Sequence, residues 1–435
     1  MSFDQAAALL VLVGVVAALI WGRLRPDVVA LTGAAALLVS GAIRPVEVQG
    51  AFASPAILAL ASLFVIAYAM ELSGLLGWLI RASIRLCTRL GAAGLWVVIV
   101  LCGALSAFLN NTPIVVLAAP VVRDVAHSLN LSARRFLIPL SYVTVMGGCC
   151  TLIGTSTNLL VNDMARTGGQ PAFSIFEVTP VGLAIAAVGG VYLFVMGGRL
   201  LGKGDHPQAT SAADAIDSAT EGGDSLGDAS LFAVDRPLDR VRALTSLVVF
   251  VGVVTVAALG YAPIAASAFA GAVLLILLRV ISAEQAYKGL RPDILLLIAG
   301  MVVVGLSLEV TGLAAAATDG LMDWVNPLGP LVALILLYGA TLFLTEILSN
   351  AAIAVLLTPV AIALAESLGV SPRPFLVAVM MSASAAFATP FGYQTNVLVY
   401  KMGGYSYMDF VRIGVPLNLL TWAVGVAAIT YFFPF

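Results

Sequence analysis

The sequence predicts an all-α protein that crosses a membrane many times. Of its 435 residues, 61% are hydrophobic and 10% are charged, against about 25% charged in an ordinary soluble domain. Apolar stretches of about 20 residues, the length of a transmembrane helix, recur along the chain. The formal net charge is -2 and the sequence has no basic tract, which argues against a nucleic-acid partner. The first apolar run follows a start without basic residues, so we expect a retained helix and not a removed signal peptide.

The hydropathy pattern predicts ten full crossings. They cover residues 6–22, 27–43, 55–72, 134–162, 178–200, 244–260, 263–281, 293–310, 373–401 and 411–433. Two more apolar regions, 95–127 and 329–366, are interrupted near their centres by polar residues. Each arm has about 16 residues, which is short for a full crossing. A bend at membrane depth is stable only inside protein or beside water, so both regions are predicted to be re-entrant hairpins.

Residues 203–242 form the one long polar segment of the chain. The segment is rich in Ala, Ser, Gly and Asp, a composition typical of a disordered linker. It separates a first membrane repeat, residues 1–202, from a second, residues 243–435.

The two halves match each other at offsets of 238 and 239 residues. Matches between Glu, Asn, Gly and Pro carry the argument, because apolar residues match by chance in such a chain. The aligned pairs include Glu71 and Glu309, Ser106 and Thr345, Asn111 and Asn350, Gly154 and Gly392, Thr157 and Thr395, and Asn158 and Asn396. Each half holds five crossings and one hairpin, and the odd number predicts two repeats of inverted topology.

The basic residues test this span count. Of the 21 Lys and Arg residues, all but Arg44, Arg166 and Arg373 fall on one side of the membrane when ten crossings are assumed. The positive-inside rule makes the rich side cytoplasmic. Both termini are then extracytoplasmic and the linker is cytoplasmic. The first hairpin opens from the cytoplasm and the second from the exterior.

Four polar motifs interrupt the apolar segments, at residues 105–113, 151–158, 345–352 and 388–396. They form two matched pairs, each a hairpin tip and a break in the following crossing. Asn111 is expected to cap a helix that begins at Thr112, with Pro113 in its first turn. Helix N-termini attract anions, and carbonyls freed at breaks suit sodium. Small polar residues also ease helix packing, but two matched pairs favour an anion site flanked by cations.

The intramembrane carboxylates are few. Glu71 and Glu309 lie at span ends, and we interpret them as structural residues and not as proton carriers. Glu346 lies beside the second tip, where its repeat counterpart is Ala107, and could contact a cation. No acid lies at mid-span in the crossing breaks, which disfavours a proton antiporter. The spans supply neither a nucleophile with a base nor facing aspartates, so we expect no enzyme and no catalytic residues.

These motifs resemble those of known transporters. NNTPIVVLAAPVV and TLIGTSTNLLV are similar to the ion-transporter superfamily, which includes arsenite permeases and citrate transporters. SNAAIAVLLTPVAIALA and ATPFGYQTNVLVYKMGGY are similar to its sulfate and carboxylate permeases. Nearly the whole chain outside the linker thus resembles the divalent-anion:sodium symporter family.

The resemblance implies a site of one anion and two sodium ions. The implied anion contacts are Asn111, Thr112, Ser349, Asn350, Thr389 and Pro390. The implied first sodium ligands are Ser106, Asn110, Asn111 and the carbonyls near Cys150 and Gly154. The implied second set is Thr345, Leu348, Asn350 and Ala388. Further polar positions in the same motifs are Thr155, Asn158, Gly392, Thr395, Asn396 and Glu346.

The resemblance also implies a function. It predicts a homodimer in the plasma or inner membrane that imports sulfate or a di- or tricarboxylate with sodium by an elevator motion, without a cofactor. The family carries Ser-Asn-Thr at each tip, whereas Ala351 stands here in place of the second threonine. The missing hydroxyl favours a small oxyanion such as sulfate over a succinate-type substrate. An arsenite or antimonite efflux permease, a sodium/proton antiporter and a channel remain alternatives.

Overall fold

A computed structural model of the protein describes residues 2–21, 23–201, 237–316 and 329–435, without the side chains of 83–89 and 198–200. All regular secondary structure within these ranges is helical, as the sequence predicts. The predicted linker, residues 203–242, lies outside the described residues up to residue 236.

The first half contains both interrupted elements that the sequence predicts. Its helices are α1 (Phe3–Trp21), α2 (Pro26–Val39), α3 (Pro45–Phe52), α4 (Pro55–Leu72), α5 (Leu75–Leu90), α6 (Ala92–Ser106), α7 (Asn111–Ser128), α8 (Arg134–Gly148), α9 (Ser156–Thr167) and α10 (Thr179–Leu200). The first tip comprises the turn 107–110 between α6 and α7 and the first two residues of α7, Asn111 and Thr112. The first break, residues 149–155, separates α8 from α9. The short helices α3 and α5 were not among the predicted elements.

The second half repeats this order. Its helices are α11 (Arg240–Ala258), α12 (Ile264–Leu277), α13 (Ala283–Gly289), α14 (Pro292–Val310), α15 (Gly329–Leu344), α16 (Asn350–Ser367), α17 (Arg373–Ala383), α18 (Gln394–Gly403) and α19 (Tyr407–Phe432). The second tip comprises the turn 345–349 between α15 and α16 and the first two residues of α16, Asn350 and Ala351. The second break, residues 384–393, separates α17 from α18. Tips and breaks thus occur at equivalent places in both halves.

Equivalent helices pack crosswise between the halves. Helix α2 packs against α14 and α12 packs against α4, while α7 packs against α18 and α16 packs against α9. Helices α10 and α19, themselves equivalent, pack against each other. Exchanging the halves exchanges these contacts, so the packing has an approximate two-fold relation. The inversion of the two halves relative to a membrane stays a prediction.

The helices have the length and composition of a multi-pass membrane protein. Seven helical segments of the described chain are long and apolar enough to cross a bilayer, namely α1, the run Pro45–Leu72, α10, α11, α14, α16 and α19. Others are shorter. At about 1.5 Å per residue, the 14 residues of α2 reach about 21 Å, less than a hydrocarbon core of about 30 Å.

Contacts between helix ends agree with the predicted order of crossings. Arg134, at the start of α8, forms an ion pair with Asp409, at the start of α19, with 2.5 Å between nitrogen and oxygen. Gln5, near the start of α1, donates a hydrogen bond of 3.2 Å to the carbonyl of Thr311, beyond the end of α14. The span count places each pair on one side of the membrane. Which side is cytoplasmic stays a prediction.

The matched carboxylates end equivalent helices. The backbone N–H of Gly74 donates to the carbonyl of Glu71 at 2.8 Å, and that of Gly312 donates to the carbonyl of Glu309 at 3.0 Å. Both glycines have φ near +70°, at 71° and 72°, a conformation that favours glycine after a helix end. This shared turn fits the structural interpretation of the two acids.

Candidate functional site

Four helix N-termini converge on one cavity of about 260 Å³. Residues at the starts of α7, α9, α16 and α18 line it. They are Asn110 and Thr112, Ser156 and Thr157, Ser349, Asn350 and Ala351, and Tyr393 and Gln394. A helix N-terminus presents unpaired N–H groups and the positive end of the helix dipole, each worth about 0.3–1 kcal/mol to an anion. Of the described residues that line the cavity, Glu346 alone carries a formal charge.

The opposite wall of the cavity belongs to outer helices. Leu19 and Pro26 come from the end of α1 and the start of α2, and Ile294, Leu297 and Ile298 come from the first turns of α14. The cavity therefore lies between the broken helices and the crossing pair α2–α14. The positive-inside prediction places this end of α2 and α14 at the cytoplasm, so the cavity would lie on the cytoplasmic side of the tips.

The tips are capped by side chains. Asn110 is the N-cap of α7, and its Oδ1 accepts from the N–H of Thr112 at 3.3 Å. Ser349 is the N-cap of α16, and its Oγ accepts from the N–H of Ala352 at 3.4 Å. The expectation that Asn111 caps α7 is wrong by one residue. Asn110 has the extended backbone of a cap, and Asn111 already belongs to the helix.

The tip asparagines share one contact and differ in another. The Oδ1 of Asn111 accepts from the hydroxyl of Ser106, and the Oδ1 of Asn350 accepts from the hydroxyl of Thr345 at 2.8 Å. The Nδ2 of Asn111 also donates to the phenol oxygen of Tyr393 at 2.7 Å, and Asn111 is buried. Asn350 is half-buried in the cavity wall, and within the described chain its Nδ2 has no acceptor. The two tips are therefore not equivalent toward a ligand.

The breaks are held by the same hydrogen bonds in both halves. In the first, the N–H of Gly154 donates to Thr151 Oγ1 at 3.1 Å, and Asn158 Nδ2 donates to the Thr151 carbonyl at 2.9 Å. In the second, Gly392 and Asn396 make the equivalent bonds to Thr389 at 3.1 and 3.3 Å. Asn158 and Asn396 are buried, so they hold the breaks from behind the cavity.

Oxygen atoms crowd around two glycines behind the first tip. A Cβ on Gly154 would lie 2.4 Å from the carbonyl oxygen of Gly148, 2.7 Å from that of Ala107 and 2.9 Å from that of Ser106. A Cβ on Gly148 would lie 2.8 Å from Asn111 Oδ1. Neutral oxygens from a tip and a break suit a hard cation such as sodium. Ser106, Asn111 and Gly154 were predicted for this role, whereas Gly148 and Ala107 were not.

The remaining predicted positions divide between the cavity lining and contacts outside it. The Cys150 carbonyl accepts from the hydroxyl of Thr179 at 2.7 Å. The hydroxyl of Ser141 donates to Thr395 at 2.7 Å, and Thr155 contacts the phenol of Tyr393. Leu348 and Gly392 line the cavity, whereas Thr389, Pro390 and Ala388 are not part of its lining.

Glu346 ties the second tip to the second break. Its Oε1 accepts from the N–H of Ala388 and from Asn418 Nδ2, each at 2.7 Å. Its Oε2 accepts from the N–H and the hydroxyl of Thr389, each at 2.9 Å. The carboxylate thus joins the tip to the break and to α19. It also places a negative charge next to Thr345, whereas the residue equivalent to Glu346 in the first half is Ala107.

The sequence reasoning missed several of these residues. Tyr393 and Gln394 stand inside the motif 388–396, and Ser156 and Thr157 inside 151–158, so the motifs were recognised but not these positions. Their place one turn from a helix start was the available signal. Asn418 lies in an apolar span, and nothing in its local sequence indicates that it contacts Glu346.

Broken helices in two matched halves that enclose a polar cavity are typical of membrane transporters. The chain belongs to the citrate transporter (CitMHS) family, whose model matches residues 16–369. The protein is therefore a multi-pass membrane transporter and not an enzyme.

Two relatives have names that state a substrate. The chain is 38% identical over 155 residues to sodium/sulfate cotransporter 2 of Chlamydomonas reinhardtii. This match covers 35% of this chain and 17% of that protein. It is 23% identical over 431 residues to the sodium-dependent dicarboxylate transporter SdcS of Staphylococcus saprophyticus, or 92% of this chain and 80% of that protein.

A solved transporter has a similar fold. The YdaH transporter of Alcanivorax borkumensis superposes with a TM-score of 0.58 over 88% of this chain and 86% of that chain, at 14% sequence identity. At this identity the similarity concerns the fold alone.

Proposed function

We propose that the protein imports a small divalent oxyanion, sulfate in the first place, together with sodium ions. The observation that carries the proposal is the convergence of four helix N-termini on a cavity whose described lining has no Lys or Arg. Each N-terminus is equivalent to about half a positive charge, so four supply about two. The Glu346 carboxylate in the lining offsets about one of them, and bound sodium ions would supply the remaining positive charge that a dianion needs. Fixed cationic side chains would bind the anion without any need for sodium.

The proposed sodium sites are formed by the oxygen atoms behind the tips. The first set comprises Ser106, Asn111 and the carbonyls near Gly148 and Gly154. The second comprises Thr345 and Asn350 beside Glu346. In both sets one amide oxygen sits in the first turn of the helix whose N-terminus faces the cavity. A bound cation would therefore fix the tip that binds the anion, which couples the two ligands.

The size of the substrate is inferred from the second tip. Ala351 lines the cavity where a threonine hydroxyl would reach a second carboxylate. The names of a sodium/sulfate cotransporter and a sodium-dependent dicarboxylate transporter among the relatives support a divalent anion as the substrate class. The shared fragment with the former favours sulfate.

The proposed transport cycle is an elevator motion within a homodimer of the plasma or inner membrane, with both termini extracytoplasmic. The tips and breaks would move as one body past the crossing pairs α2–α14 and α4–α12. The two-fold relation of the packing supports two end states in which the halves exchange roles.

Uptake of labelled sulfate into proteoliposomes tests the proposal. An inward sodium gradient is compared with the same gradient of potassium, and unlabelled succinate, citrate and arsenite are added as competitors. We expect sulfate uptake with the sodium gradient and none with the potassium gradient. The proposal would be refuted if uptake did not depend on sodium and none of these anions competed.

The position of Glu346 favours one alternative, a sodium/proton antiporter, since its carboxylate lines the cavity. That function predicts proton flux in the absence of any anion, abolished in Glu346→Gln. The Glu346 carboxylate accepts four hydrogen bonds from protein donors, which favours a structural carboxylate over a proton carrier.

A further inference from the structure

Tyr393, the last residue of the second break, and Gln394, the first residue of α18, form hydrogen bonds with side chains of the first tip. Tyr393 takes the amide of Asn111 as a donor at 2.7 Å, and the hydroxyl of Thr112 donates to the Oε1 of Gln394 at 3.2 Å. Both Tyr393 and Gln394 also line the cavity. The side chains of Asn111 and Thr112, for which anion contacts were predicted, are thus already bonded to the other half of the protein.

We infer that Tyr393 and Gln394 determine which anions the site accepts, by committing the side chains of Asn111 and Thr112 to the protein and leaving Asn350 at the second tip to bind the anion. The inference rests on the proposed function and names the substrate class of the same site. It assigns a selectivity role to two residues that neither the family match nor the relatives point to.

The asymmetry between the tips supports this division. Asn111 has its Oδ1 bonded to Ser106 and its Nδ2 bonded to Tyr393, and it is 1% exposed. Asn350 has its Oδ1 bonded to Thr345, lines the cavity and keeps its Nδ2 without an acceptor among the described residues. Of the two matched asparagines, only Asn350 therefore keeps a free amide donor; at the first tip, the Nδ2 of the N-cap Asn110, which also lines the cavity, has no acceptor among the described residues either.

The equivalent positions of the first break explain why the asymmetry runs in one direction. At an offset of 238, Tyr393 corresponds to Thr155 and Gln394 to Ser156. These side chains are too short to reach across to Asn350 as Tyr393 reaches to Asn111. Thr155 instead contacts the Tyr393 phenol, so both breaks support the same tyrosine.

The consequence concerns the shape of the ligand. A dicarboxylate carries its two charges at separate ends and needs donors from both tips. A tetrahedral dianion such as sulfate carries its charge on four oxygens around one atom, and one tip with the neighbouring helix N-termini can bind it. Bonding the first tip to Tyr393 and Gln394 therefore selects the compact anion.

The test measures selectivity and not activity alone. Tyr393→Phe removes only the hydroxyl that holds Asn111, and Gln394→Ala removes the acceptor for Thr112. For each variant, the KM of sulfate uptake and the inhibition constant of succinate are measured in proteoliposomes with a sodium gradient. Tyr400→Phe is the matched control, because Tyr400 lies on α18, is not part of the cavity lining, and makes ring contacts with Phe391 and Phe410.

We expect the ratio of the succinate inhibition constant to the sulfate KM to fall about tenfold in each variant, the effect of one hydrogen bond to a charged ligand. The control should keep the wild-type ratio. A ratio within twofold of wild type in both variants would overturn the inference.

A second readout covers variants that fail to transport. The dissociation constants of sulfate and succinate are measured by thermal stabilisation of the purified protein in sodium, and the same change in their ratio is expected. An unchanged ratio again overturns the inference. If wild-type protein neither binds nor imports sulfate, the proposed function itself fails, and the two failures are thus distinguishable.

Discussion

Replacing Gly154 by alanine probes the first candidate sodium site. The new Cβ would lie 2.4 Å from the Gly148 carbonyl oxygen, whereas ordinary contact begins near 3.4 Å, so the break must move by about 1 Å. Overpacking of this kind costs about 1–3 kcal/mol. Since the oxygens that must move are the proposed sodium ligands, most of this cost falls on sodium binding. We expect the sodium concentration for half-maximal sulfate uptake to rise about 5- to 150-fold.

The assay is a sodium titration of sulfate uptake in proteoliposomes with a matched control. Gly252→Ala makes the same chemical change in helix α11, where a Cβ would have nothing within 4 Å. Gel filtration of both variants confirms that they are folded. If Gly154→Ala transports with the sodium dependence of Gly252→Ala, the oxygens around Gly154 do not bind a coupling ion, and the reasoning fails.

Three further predictions concern the second tip and the helix ends. Asn350→Ala removes the cavity-facing amide, and we expect the sulfate KM to rise about tenfold or more, measured by initial uptake rates; an unchanged KM would place the anion elsewhere. Glu346→Gln removes a charge and turns an NH2 group toward hydrogen-bond donors. We therefore expect a higher sodium concentration for half-maximal sulfate uptake, while transport still requires sodium; proton flux that disappears in this variant would instead favour antiport. Arg134→Ala removes the cation that pairs with Asp409, where both side chains are largely buried, at 8% and 13% exposed. Since the Ser406 N–H and hydroxyl still donate to Asp409, we expect a loss of stability below the roughly 3–5 kcal/mol of a fully unpaired buried charge, seen as a lower melting temperature; an unchanged melting temperature would show that the pair contributes nothing.

Much of the fold follows from local sequence. The positions of the four helix interruptions were predicted within a few residues because Asn, Thr, Ser and Gly interrupt otherwise apolar runs at nearly constant offsets. That two of these regions are re-entrant hairpins stays a prediction. The capping position at the first tip was wrong by one residue. Asn110 and Asn111 have the same side chain, and only the backbone conformation distinguishes the cap from the first helical residue.

The asymmetry of the site could not be predicted from the repeat. The offsets make Asn111 and Asn350 equivalent, but the contact between Asn111 and Tyr393 crosses between the halves over 282 residues of sequence. Such a contact depends on how α7 packs against α18, which is decided by apolar surfaces without a distinctive sequence pattern. The same holds for Asn418, which reaches Glu346 from α19.

The central claim is that sodium drives a divalent anion into the cavity at the four helix N-termini. The most direct measurement is sulfate accumulation in proteoliposomes of the purified protein, starting from equal sulfate concentrations on both sides, after a sodium gradient is imposed. The account predicts that internal sulfate rises above the external concentration and returns to it when a sodium ionophore dissipates the gradient. Sulfate that stays at equal concentrations in a sodium gradient, or that accumulates only in a proton gradient, would contradict it.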